Sequence, residues 1–331
     1  MLPKVFFRVD GNPEIGLGHL VRCIALANML KNYFEISFFC REFPETIKNE
    51  FDETGFGLVN IQFENEFFAQ LTEKIIVVLD GYDFDIIYQK NIKSKGCSLV
   101  CIDDLHDKEF VADLIINHSP GINPHDYRAQ TYTRFALGLE YSLLRPAFLA
   151  QAKKTRVIKK IETIMICFGG SDPKNLTQST IDVAIEFPEF KKIIVVTGAQ
   201  YKVTKSFDQL IDSDTRVDHR INLNELQMCD SFLEADLAII PSSGVCLEAI
   251  CCGCIPLICY YVKNQNYFHD YLTNNYSFKS FGNNTDIFQK KMLQQQLLSL
   301  NNYGRSNALL LKDVISQSTT RIREIFQSRL T

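Results

Sequence analysis

The sequence has no apolar run near the roughly 20 residues that a bilayer-spanning helix needs. Its start, MLPKVFFRVDGNPEIG, reaches charges and a glycine after a very short apolar run, whereas a secretory segment needs about 7–15 apolar residues. A soluble cytoplasmic protein without a membrane partner is therefore expected. Excess positive charge is also missing: 35 Lys and Arg stand against 39 Asp and Glu, a formal net charge of -4. Nucleic-acid binding wants a basic footprint, so that partner class is disfavoured. A small anionic ligand is not, because a local site can oppose the average charge. There is no Trp, and the 11 Cys are an odd number. Most of them lie in apolar runs, where cysteine acts as a small buried hydrophobe. No second ligand pair accompanies Cys251, Cys252 and Cys254 at zinc-site spacing. Free thiols in a reducing compartment are expected, with no bound metal.

What is present is ordinary for a globular enzyme: 46% hydrophobic and 22% charged residues. The length suggests about two domains. Strand-like runs alternate with helical periodicity, which implies an α/β protein with parallel sheets. VFFRVD, ISFFC, KIIVVLD, SLVCIDD and DLIINHS are strand candidates in the first half. The second half repeats the plan with TIMICFGG, KKIIVVTG, DLAIIPSSG and IPLICYY. The near-continuous Ile and Val of KIIVVL are what a strand buried on both faces requires. The expected architecture is two Rossmann-like doubly wound domains, residues 1–150 and 151–331, with a cleft between them and a basic link over 145–162. A helix is expected from Asp172, as N-cap with Pro173 at its first position. A single polar amphipathic helix is expected over about Tyr303–Leu330, with the option of packing back on the first domain.

Three turns carry candidate chemistry. Gly16, Gly18 and His19 lie between the first strand and the first helix. Ligands of open α/β sheets bind at the carboxyl ends of strands, and a glycine loop before a helix lets an anion approach the backbone. The pattern lacks the third glycine of a dinucleotide fingerprint and the G-K-[ST] of a P-loop. A cleft-facing imidazole there suits general-base work near neutral pH. The second turn, Phe168–Asn175, contains Gly169 and Gly170. The third runs from Pro241 to Glu248 and contains Ser242 and Ser243. Both turns resemble phosphate cradles, and Glu248, one turn into its helix, can accept the hydroxyls of a ribose. The acidic pairs Asp83/Asp85 and Asp103/Asp104 invite a metal reading, but D-x-D at a helix start is better explained by N-capping.

In order, R-x-D-x4-I-G-x-G-H-x2-R (Arg8–Arg22), D-G-Y (Asp80–Tyr82), I-D-D (Ile102–Asp104), Gly138–Phe148, G-G-S-D-P-K-N-L (Gly169–Leu176), S-S-x3-L-E (Ser242–Glu248) and K-N-Q (Lys263–Gln265) form a set. As a set they resemble the UDP-sugar hydrolases of pseudaminic acid biosynthesis, the UDP-2,4-diacetamido-2,4,6-trideoxy-β-L-altropyranose hydrolase family. The resemblance implies a GT-B fold like that of MurG-type glycosyltransferases, and metal-independent release of UDP with inversion at the anomeric carbon. It places the catalytic base on His19 and an active-site tyrosine on Tyr82. Substrate contacts fall on Gly16, Gly18 and Arg22, on the UDP loops at Gly169, Gly170, Ser242, Ser243 and Glu248, and on Asn264 and Gln265 near the sugar. Leu247 stands where many relatives carry Trp.

Overall fold

A computed structural model describes residues 2–11, 17–300 and 307–329. Contacts divide the chain into two compact units, 1–146 with 317–331, and 147–316. The first holds seven parallel strands: β1 (Lys4–Val9), β2 (Glu35–Cys40), β3 (Gly57–Asn60), β4 (Ile75–Asp80), β5 (Ser98–Ile102), β6 (Leu114–Asn117) and β7 (Arg134–Leu137). Their order in the sheet is β3-β2-β1-β4-β5-β6-β7. The second unit holds β8 (Thr163–Cys167), β9 (Lys192–Thr197), β10 (Val217–Ile221), β11 (Leu237–Pro241), β12 (Ile255–Tyr260) and β13 (Lys279–Asn283). They are ordered β10-β9-β8-β11-β12-β13, again all parallel. The first six strands of each sheet thus share one winding. It reverses direction between β1 and β4 in the first sheet and between β8 and β11 in the second, and such reversals are where doubly wound sheets bind ligands.

Central strands are buried along their whole length, as in IIVVLD of β4 and LAIIP of β11. Helices cover the sheets, and buried clusters gather around Phe67, Val77 and Leu99 in the first unit and around Phe168, Ile239 and Phe281 in the second. The eleven cysteines are free and buried. Cys252 is the C-cap residue of the helix Gly244–Cys251, with its Sγ 3.7 Å from that of Cys229. Among the described residues, no helix is long and apolar enough to cross a membrane.

Two sequence expectations are corrected. The helix expected from Asp172 runs Leu176–Ala184 with Asn175 as its N-cap residue, so Pro173 is not its first position. Asp172 takes a left-handed backbone (φ 38°) instead. From there its carboxylate accepts the Leu176 and Thr177 amides at 3.0 and 2.7 Å, two of the donors that a helix start leaves orphaned. The single C-terminal helix is two helices, Asn307–Ser316 and Ser318–Arg329; residues 303–306 and 330 lie outside the described set. The second of these belongs to the first unit. There Phe326 meets Phe34 edge-on at 6.1 Å, and Arg323 lies over the Tyr33 ring and donates to its hydroxyl at 3.1 Å.

Candidate active site

In the first unit the residues converge at the reversal point. Strand β1 ends at Val9, level with Asp80 at the end of β4, and Asp80 is level with Ile102 at the end of β5. The helix Gly18–Leu30 starts beside them with no side-chain cap. Among the described residues, a Cβ on Gly18 would meet nothing within 4 Å. Gly16 lies outside the described residues. His19 is buried, only 6% exposed. Its Nδ1 lies 2.6 Å from Asp80 Oδ1. Arg22, one turn further on the same helix face, chelates Asp80 through Nε (2.5 Å) and Nη2 (2.6 Å). It reaches Asp104 Oδ2 with Nη1 at 3.0 Å. Arg22 Nη2 is also 3.0 Å from His19 Nδ1. Two donors do not bond one another; both turn to the shared acceptor, Asp80 Oδ1. His19 therefore donates from Nδ1 to Asp80, and in this tautomer of the neutral ring the lone pair lies on Nε2.

Charge compensation makes this arrangement stable. Burial works to raise the Asp80 carboxyl, but the Arg22 cation and the contact with His19 hold it down at about 2. Burial opposes the Arg22 charge in turn, and Asp80 and Asp104 more than restore it. Removing either partner of such a buried pair leaves an uncompensated charge, at a cost of about 3–5 kcal/mol. Tyr82 stands beyond the end of β4, 49% exposed, edge-on to His19 with ring centroids 4.7 Å apart. Partial burial and the Asp104 carboxylate, 3.4 Å away, push its hydroxyl up to about 12. At neutral pH it is therefore a donor. The other carboxylates have structural work. Asp85 caps the helix Ile86–Lys93 through the Tyr88 amide (2.8 Å). Asp103 accepts from the His106 amide and the Tyr127 hydroxyl. Among the described residues no group of three or more His, Cys, Asp or Glu is placed to hold a metal ion.

In the second unit the reversal point is built from small residues. Gly169 follows β8 with φ +85°, a conformation that favours glycine. Tyr261 closes over this turn by donating its hydroxyl to Phe168 O at 3.0 Å. A side chain on Gly170 would meet only open space, whereas one on Gly198 would fall on the Gly170 backbone. Asp172 already fills the amides at the start of the next helix. The helix after β11, Gly244–Cys251, differs: its N-cap Ser243 makes no side-chain cap bond, and Gly244 faces open space. Ser242 is buried, donating its hydroxyl to Cys259 O at 3.0 Å. Glu248 is only 8% exposed. Gln265 uses its side-chain oxygen on the Tyr261 amide (3.1 Å), and Asn264 lies beside it in the short turn Lys263–Gln265.

The structure thus brings together His19, Tyr82 and Arg22 in the first unit, and separately Gly169, Gly170, Ser242, Ser243 and Glu248 around the reversal point of the second sheet. Two residues absent from the sequence-level site set complete the first group: Asp80, which orients His19, and Asp104, which holds Arg22 and Tyr82. Their signal was present as carboxylates at the ends of apolar strands, on either side of the reversal.

No protein-family model matches the chain. It is 27% identical over 274 residues to the UDP-2,4-diacetamido-2,4,6-trideoxy-β-L-altropyranose hydrolase of Campylobacter jejuni, covering 79% of this chain and 93% of that protein. It is 28% identical over 269 residues to a spore coat polysaccharide biosynthesis protein of Bacillus subtilis, covering 77% of each. An uncharacterized protein of Methanocaldococcus jannaschii is 27% identical over 284 residues, 81% of this chain; the chain spans only 58% of that protein's length. Among solved structures, MurG of Acinetobacter baumannii superimposes with a TM-score of 0.61 over 98% of this chain and 100% of that one, at 14% identity. The glycotransferase of kitacinnamycin gives 0.63 over 100% of both, at 10% identity. The fold is GT-B-like, and the chain resembles enzymes of nucleotide-sugar metabolism.

Proposed function

We propose that this protein hydrolyses a UDP-linked 2,4-diacetamido-2,4,6-trideoxy sugar at the anomeric carbon, releasing UDP and the free sugar with inversion, without a metal. The observation that carries the reading is the 2.6 Å contact of His19 Nδ1 with the buried, ionised Asp80. It fixes the tautomer in which Nε2 is a base. Nε2 takes a proton from water as that water attacks the anomeric carbon opposite the departing oxygen. The Asp80 carboxylate then stabilises the imidazolium that forms, as the acidic member of a catalytic triad does. Arg22 is a positioning residue, since its guanidinium is engaged by Asp80 and Asp104. Tyr82 borders the base and donates.

UDP needs charge stabilisation more than a proton to depart. The second unit has the means: the start of Gly244–Cys251, which has no side-chain cap, and the bare Gly169–Gly170 turn offer backbone N–H groups to the diphosphate, and Ser243, whose own N–H is spent on Pro241 O, offers its hydroxyl. The amides of Leu176 and Thr177 do not contribute, because Asp172 already satisfies them. Glu248 is assigned to the ribose hydroxyls, and Asn264 with Gln265 to the sugar. The similarity to the C. jejuni hydrolase supports the substrate class.

The test is incubation with the UDP-diacetamido sugar alone, with excess chelator in a parallel tube. Rapid UDP release in both tubes, with NMR showing the inverted free sugar first, is expected. UDP release only when an acceptor alcohol is supplied would replace the hydrolase with a glycosyltransferase.

A further inference from the structure

The polar array around Arg22 ends in two unpaired atoms. Asp104 accepts at Oδ2 from Arg22 and Tyr82, but its Oδ1 is buried with no hydrogen-bond partner among the described residues, and so is Nδ1 of His118. Native folds leave few such atoms, and each asks for an explanation. These two are neighbours in topology. Strands β5 and β6 pair Ile102 with Ile116, and Asp104 and His118 each lie two residues beyond that pair, at the carboxyl ends of the strands. Sheets of this winding bind ligands at those ends.

We propose that Asp104 Oδ1 and His118 Nδ1 form a subsite for a neutral substituent of the sugar carrying both a donor and an acceptor, a hydroxyl or an acetamido group, uncovered when the Tyr82 side chain swings off Asp104. The proposal rests on the nucleotide-sugar reading above. The electrostatics choose the ligand class. An anion would face the carboxylates of Asp80 and Asp104, and a cation would face Arg22. Burial and then the nearby Arg22 charge push His118 down to about 4, so at neutral pH it is an uncharged imidazole. A carboxylate oxygen beside a neutral imidazole offers one acceptor and one group able to donate. Neither atom is open to solvent in this state, which is why a cover must move. Tyr82 is suited to that, being half exposed and tied to Asp104 only by the 3.4 Å contact.

The test is calorimetric titration of the full chain carrying His19→Ala, which keeps the UDP-sugar intact, with UDP and with the UDP-diacetamido sugar. Adding His118→Phe should leave the UDP affinity unchanged and weaken the UDP-sugar about 10-fold, the scale of one lost hydrogen bond. His118→Gln, which keeps a donor and an acceptor, should restore the UDP-sugar affinity to within about 3-fold. Unchanged UDP-sugar affinity in His118→Phe overturns the subsite while leaving the nucleotide-sugar reading standing. A parent that binds neither UDP nor the UDP-sugar overturns both.

Discussion

At the reversal point of the first sheet the groups that meet are ionised or titratable: His19, Asp80, Arg22, Asp104 and Tyr82, locked by contacts of 2.5–3.4 Å. At the equivalent point of the second sheet the groups are Gly169, Gly170, Ser242, Ser243 and Gly244, and a Cβ placed on Gly170 or Gly244 meets nothing. The winding is the same, and the chemistry at its turns is opposite. A site that moves a proton needs its tautomer and charges fixed in advance, which takes side chains that neutralise one another. A site that holds a diphosphate needs bare backbone N–H groups and room.

The sharpest break between the two is His19→Asn. Turnover should fall about 10²–10⁴-fold, the usual worth of a general base, with the UDP dissociation constant held within about 2-fold, read by UDP release and by calorimetry. Equal loss of both would mean that the two turns do not divide the work.

A smaller effect is set by His118. Its proton affinity in the fold is lowered from 6.5 to about 4. The unfolded chain therefore binds a proton as pH drops through about 6.5, and the folded chain does so only near 4. Folding stability contributed by the neutral imidazole is present above about 6.5 and declines as pH falls towards 4, by at most about 3 kcal/mol. Thermal melts at pH 7 and pH 5 should show a steeper loss for the wild type than for His118→Phe. Identical slopes would remove the buried imidazole from the charged array of the first unit.

The smallest effect sharpens the second unit. Gly244→Ala should leave the melting temperature unchanged and weaken UDP about 10-fold, roughly 1.4 kcal/mol, because the new methyl occupies the room in front of an uncapped helix. Gly170→Ala should cost UDP less than about 3-fold, since Asp172 already fills the helix that follows its turn. The reverse ranking would move the diphosphate to the Gly169–Gly170 turn.

Nine strands are legible in the sequence as apolar runs, and the four that are not (β3, β7, β10 and β13) are the outer strands of the two sheets. Their sequences GLVN, RFAL, VDHRI and KSFGN are short or polar because one edge meets no strand. In β10 the polar residues are used: Asp218 and Arg220 join Lys192 and Glu234 in an ion-pair network. An apolar run marks a strand buried on both faces, and an edge strand need not be one. For the candidate site, His19 stands out in the sequence because a glycine loop precedes it. Asp80 was readable as a strand end but not as the residue that orients His19, 61 positions before it in the chain, because that depends on β4 lying next to β1. The start of the helix Leu176–Ala184 was misread for a local reason. D-P-K-N looks like a cap followed by a first-turn proline, but Asp172 caps from a left-handed turn four residues before the helix begins.

The helix Ser318–Arg329 closes the first unit, although the whole of the second unit precedes it in the chain. On the ribosome, the surface of the first unit around Tyr33 and Phe34 therefore waits for its cover until the second unit has been made. During that interval the nascent N-terminal half presents an unshielded aromatic patch. Chaperone capture would then concentrate on this half, and a gene fragment ending near residue 150 would yield a sticky product however well its sheet is formed.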